Sequence, residues 1–129
     1  MPATNFPEYA RSIADSLDRV IGTGEAMLLT LQVDQRSSMQ GVIAGSLQFS
    51  DESILHFREF VNMGQEEPRL MYAYHYQDAE GRLIFRYDNA AHKPALPQAT
   101  HRHTPSAVKV SPAPTLVEVL DEILKQKNG

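Results

Sequence analysis

The sequence contains no cysteine. That absence removes disulfides, iron–sulfur clusters, thiolate-bound zinc and cysteine nucleophiles together. Long apolar runs are missing as well. The longest is five residues, Leu70 to Tyr74, whereas a membrane-spanning helix needs about 20. The start of the chain has no basic stretch leading into an apolar one, so no secretory signal is expected. There is no P-loop, no dinucleotide-binding glycine pattern and no serine-nucleophile elbow, which leaves nucleotide-dependent transfer and esterase chemistry without support. What is present is 129 residues, 42% of them hydrophobic. Such a chain is not disordered and buries about two-thirds of its unfolded surface without staples. The expectation is a single cytoplasmic domain over residues 1–129, with no membrane contact.

Basic charge is scarce overall and concentrated locally. The chain has a net charge of −4, from 12 Lys and Arg against 16 Asp and Glu. Residues 82–109 hold Arg82, Arg86, Lys93, Arg102 and Lys109 against the single acid Asp88, a local charge of +4 that leaves −8 elsewhere. Three of the five histidines, His92, His101 and His103, lie in the same window. A basic, histidine-rich segment on an acidic chain points to a local anion site.

Hydrophobic spacing predicts the elements. Pro7 can open a helix, and Tyr9, Ile13, Leu17, Val20 and Ile21 recur at helical spacing until Gly22 and Gly24 end the pattern. Residues 7–21 are therefore expected to be helical. Strands are expected at 27–34, which is rich in Leu and ends near Asp34, and at 40–49, 54–62, 69–77 and 82–88, where apolar residues recur at period two. Asp78-Ala79-Glu80-Gly81 closes a hairpin, Gly81 supplying a positive φ. Flanking residues placed symmetrically about that turn would set His75 opposite Ile84. Residues 89–114 carry five of the eight prolines and read as a long functional loop with two short extended pieces at most, His101–His103 and Val108–Val110. Thr115 and Glu118 form a capping box for a last helix over 115–126. The expected fold is α+β, an antiparallel meander of five strands (four to six) flanked by an N-terminal and a C-terminal helix.

Parity sorts the side chains. Tyr72, Tyr74, Tyr76, Leu83, Phe85 and Tyr87 share one face of the 69–88 hairpin, and His75, Arg82, Arg86 and Asp88 the other. His101-Arg102-His103 is a His-x-His pair whose imidazoles project the same way in extended backbone. Two imidazoles and an arginine are what metal-free RNA cleavage requires: a base for the 2′-hydroxyl, an acid for the leaving oxygen and a cation for the phosphorane. Tyrosines can stack unpaired bases. His56, between Leu55 and Phe57 and of opposite parity, reads as an exposed structural residue.

The stretch Tyr74-His75-Tyr76-Gln77-Asp78 through Arg86-Tyr87-Asp88-Asn89-Ala90 is similar to the signature of the TumE-like toxins of type II toxin–antitoxin systems. His92, Pro94 and His101-Arg102-His103 match the His/Pro stretch that follows it in the family, and Leu55-His56-Phe57-Arg58-Glu59-Phe60 resembles an upstream strand. The resemblance spans roughly residues 40–124. Lys93 stands where family members often carry a second adjacent histidine, and keeps a cation there. The resemblance implies a ribonuclease-type toxin neutralised by a small antitoxin encoded beside it. In that reading His101 and His103 share acid and base duties, Arg86 stabilises the phosphorane and Asp88 orients a partner. His75, Tyr76, Arg82, His92, Lys93 and Arg102 would bind RNA, with no metal and no cofactor. Two other readings stay open. One is a noncatalytic module that contacts an antitoxin or nucleic acid. The other is a nuclease with zinc or manganese on His92, His101 and His103. The oligomeric state, a homodimer included, is open too.

Overall fold

The computed structural model describes residues 3–89 and 100–128. Helix α1 spans Phe6–Gly22. Asn5 caps it, its side chain accepting the Glu8 N–H at 2.9 Å, and Pro7 sits in the first turn where a missing N–H costs nothing. The chain then runs through β1 (Ala26–Gln35), β2 (Gln40–Phe49), β3 (Ile54–Asn62), β4 (Arg69–Gln77), β5 (Leu83–Asp88), β6 (His101–Thr104) and β7 (Ala107–Val110), and ends in α2 (Leu116–Asn128). Thr115 and Glu118 cap α2 reciprocally, at 3.0 and 3.2 Å. All seven strands form one antiparallel sheet in sequence order, an up-and-down meander.

Both helices supply apolar residues to one face of the sheet. Phe6, Ile13 and Leu17 of α1 and Leu116, Leu120 and Ile123 of α2 are buried in one cluster with Ile43, Leu55, Phe57, Tyr74 and Phe85. Gly41 on β2 is there because the Phe6 ring packs directly on its Cα; a Cβ would overlap that ring. The cluster contains one carboxylate. Glu59, on β3, is buried and accepts hydrogen bonds from the hydroxyls of Tyr9 on α1 and Tyr74 on β4, the latter at 2.6 Å. Arg69 closes this network, donating to the Tyr74 hydroxyl at 2.7 Å and to the Pro114 carbonyl ahead of α2. Burial, and then the Glu59 charge, raise both tyrosine hydroxyls far above their ordinary pKa, so they act as donors.

The α+β architecture is the one expected, with the two helices as flanking elements. Two details differ. The sheet has seven strands rather than five, because the segment 89–114 contributes the β6–β7 hairpin. Its strands are four residues each, too short to show a period, and they exist because β5 offers a free edge to pair with. The β4–β5 register is also shifted by two residues. Asp78 uses its carboxylate to accept the Glu80 and Arg82 amides, at 3.0 and 2.9 Å. This draws Arg82 into the turn, and an irregularity at Tyr76/Gln77 re-phases the ladder. His75 therefore pairs with Arg86 and not with Ile84.

Candidate functional site

The register builds the site. Directly paired residues of antiparallel strands project to the same face. The pairs His56↔His75, His75↔Arg86 and Arg86↔His103 therefore make one row of side chains running across β3, β4, β5 and β6. The next row is Arg58, Ala73, Asp88 and His101, from the pairs Arg58↔Ala73, Ala73↔Asp88 and Asp88↔His101. Both rows lie on the sheet face opposite the helices. Four of the residues singled out for chemistry (Arg86, Asp88, His101 and His103) and one assigned to binding (His75) are thus neighbours.

Asp88 organises the centre. Arg86 Nε donates to its Oδ2 at 2.8 Å, and His103 Nε2 stands 3.4 Å from its Oδ1. Arg86 Nη1 reaches His75 Nδ1 at 3.4 Å. A guanidinium has only donors, so Nδ1 carries the lone pair and neutral His75 holds its proton on Nε2. Burial, then the Arg86 charge and then His56, push the His75 pKa below the ordinary imidazole value. The His75 and His56 rings are 6.2 Å apart, and those of His101 and His103 are 6.4 Å apart. Asp88 and His101 are buried, His101 to 1% exposure, while Arg86 and His103 keep open edges. The face can therefore present a cation, Arg86, between two imidazoles, with a carboxylate beneath.

The flanking residues hold this arrangement in place. Asn89 accepts the Tyr72 N–H at 2.9 Å and donates to the Leu70 carbonyl at 3.1 Å, which clips the end of β5 to β4 beside Asp88. Tyr72 also meets the Thr100 hydroxyl at 2.7 Å, fixing the entry to β6. On the helix side, Arg102 donates to the Tyr87 hydroxyl at 2.9 Å and to Glu122 of α2 at 2.8 Å. Within Arg86-Tyr87-Asp88-Asn89, then, alternate residues face the site and the core, and the last closes the ladder.

Not every residue expected to bind RNA is brought here. Tyr76 is buried among the core aromatics, its hydroxyl 2.7 Å from that of Ser53. Arg82 is at the hairpin tip, paired with Asp78 and Glu80. Arg102 is turned to α2. His92 and Lys93 lie outside the described residues, and so does one member of the His92–His101–His103 set. Among the described residues no group of three His, Asp or Glu side chains is placed to hold a metal ion. Arg58 also lies on this face and was not singled out from the sequence, while His56 is exposed there as its parity led one to expect. Their place in the rows depends on the β3–β4 register, although the alternation in Leu55-His56-Phe57-Arg58 already put both on the polar face.

The family model described as Toxin TumE matches residues 17–127, most of the chain. No curated protein and no solved structure matches it. No described helix is long and apolar enough to cross a membrane.

Proposed function

The chain belongs to the TumE toxin family, a toxin partnered by an antitoxin in a toxin–antitoxin system, and we propose that it acts by cutting RNA without a metal. The observation that carries this reading is Arg86 standing between His75 and His103 in one transverse row. Strands two apart in a sheet are separated by roughly 10 Å, which leaves a phosphate on Arg86 flanked by an imidazole on each side.

The chemistry follows from the environments. His75 is neutral near pH 7, because burial and Arg86 both oppose its protonation. It takes the proton of a ribose 2′-hydroxyl on Nδ1, the lone pair freed when the Arg86 guanidinium turns from His75 to the phosphate. The 2′-oxygen attacks phosphorus, the O2′–P bond forms and the P–O5′ bond breaks. His103, steered by the Asp88 carboxylate, gives its proton to the departing 5′-oxygen. Arg86 offsets the charge that gathers on the phosphorane. The products are a 2′,3′-cyclic phosphate and a 5′-hydroxyl. His101, buried beside Asp88, acts as a positioning residue. Proton transfer is therefore assigned to His75 and His103 and not shared by His101 and His103.

The test is cleavage of single-stranded RNA by purified protein in EDTA. His103→Ala and His75→Ala are each expected to lose about 10²–10⁴ in rate. Arg86→Lys, which keeps the charge but loses the planar fork, is expected to be impaired as well. Cleavage abolished by EDTA and restored by zinc or manganese would overturn the metal-free reading.

A further inference from the structure

Next to the Arg86–Asp88 pair the open sheet face is hollow. Between Arg58 and Asp88 the row carries only the methyl group of Ala73. The next row, Val42, Phe60 and Met71, rises beyond it as an apolar wall. Together they enclose a cleft of about 290 Å³. That is at the small end for organic-ligand pockets, room for one planar ring system and too little for a folded helix. Its lining is mostly carbon, yet three arginines are part of it, Arg36, Arg58 and Arg86. Arg86 is held by Asp88, and Arg36 lies 3.3 Å from exposed Asp34. Arg58 is exposed, and among the described residues no carboxylate stands within 4.0 Å of it. Asn89, also at the cleft, is held by backbone through its oxygen and one of its amide hydrogens.

An apolar slot for a ring, ringed by arginines, matches an unpaired nucleotide: a base with a face to stack and a phosphate on either side. We infer that this cleft seats one unpaired base of the RNA, stacked against Phe60 and Met71, while Arg58 takes the adjoining phosphate. The inference rests on the RNA-cutting reading and adds to it the point where the strand is gripped. The phosphate on Arg86 and the base in the cleft then belong to neighbouring nucleotides. Duplex RNA is excluded, because a paired base cannot enter the slot.

The probe is a short single-stranded RNA, 2′-O-methylated throughout so that it cannot be cut, with binding read by fluorescence anisotropy. Replacing its bases one at a time by abasic sites, on the unaltered protein, is expected to weaken binding about ten-fold at one position and little elsewhere. That abasic penalty is expected to vanish in Phe60→Ala. Arg58→Gln, a surface change that leaves the fold intact, is expected to weaken binding at low salt and flatten its salt dependence. A flat abasic scan, or unchanged affinity in both variants, would overturn the inference. If uncut RNA binds as described but natural RNA is never cleaved, the cleavage reading fails and the cleft assignment stands. If both variants cleave RNA at the unaltered rate, the cleft assignment fails and the cleavage reading stands. If they lose antitoxin binding while RNA binding is unchanged, the cleft is a protein-docking surface and the inference is wrong.

Discussion

Asp88 accepts a hydrogen bond from Arg86 at 2.8 Å and stands 3.4 Å from His103 Nε2. Charge-assisted bonds are roughly twice as strong as neutral ones. Asp88→Asn keeps the shape and removes the charge, so Arg86 loses its charged acceptor and His103 the carboxylate beside it. RNA cleavage by that variant is expected to fall about ten-fold or more, and the melting temperature to fall with it, because Asp88 is buried and paired with Arg86. At His75 the direction of the pKa shift has a separable cause. Burial comes first and the Arg86 charge second. Arg86→Ala removes the second, so the His75 titration, followed by NMR, is expected to move up towards 6.5. An unchanged titration would mean that Arg86 does not act on His75.

At the scale of elements, periodicity in the sequence is enough for both helices and for the two faces of β2 to β5. Ile43, Leu47 and Phe49, and Tyr72, Tyr74 and Tyr76, alternate because one side of each strand meets the helices. Register is harder to read, since it depends on atoms outside the strands. The Asp78 carboxylate takes the Arg82 amide, and beyond the irregularity at Tyr76/Gln77 the β5 ladder is shifted by two. Parity survives an even shift, so the polar set was legible even though its pairings were not. The β6–β7 hairpin was legible only as two short extended pieces, since four-residue strands carry no period of their own. The separation of Tyr76 and Arg102 from the site follows from their parity with the face that meets the helices, whereas the burial of His101 on the opposite face is a tertiary fact that periodicity does not give. One close approach makes an element-scale prediction. Gly41→Ala forces a methyl group against the Phe6 ring, and is expected to cost about 1–3 kcal/mol in urea denaturation. A neutral result would mean that α1 rides more loosely on β2 than the packing indicates.

Across the whole molecule the labour is divided between the two faces of one sheet. The helices and the Glu59–Tyr9–Tyr74–Arg69 network occupy one side, and the histidine and arginine rows the other. Substitutions at the partly exposed Arg86 and His103 should therefore reduce activity without unfolding the chain, unlike those at the buried Asp88 and His101. Stability itself should depend on pH in two windows. His75 has a folded pKa below its unfolded value of 6.5. The unfolded chain then binds more protons as pH falls below about 6.5, and stability declines through that window. Asp51 has its carboxyl lowered from 3.8 to about 2, its mild burial being outweighed by hydrogen bonds from Lys127 and Ser53. Its contribution is present above 3.8 and is lost as pH falls towards 2. Urea denaturation from pH 7.5 to 5 should show the first decline, and His75→Gln should flatten it.

The assignment of proton transfer to His75 and His103 is tested most directly by the ends of the RNA that the protein leaves. A defined single-stranded RNA is incubated with purified chain in EDTA, and the fragments are analysed by mass spectrometry across pH 5 to 8. The expected products carry a 2′,3′-cyclic phosphate on one side and a 5′-hydroxyl on the other. Their yield should follow a bell-shaped pH profile and disappear in the His75→Ala/His103→Ala double variant. Fragments ending in a 5′-phosphate, or undiminished cleavage by the double variant, would contradict it.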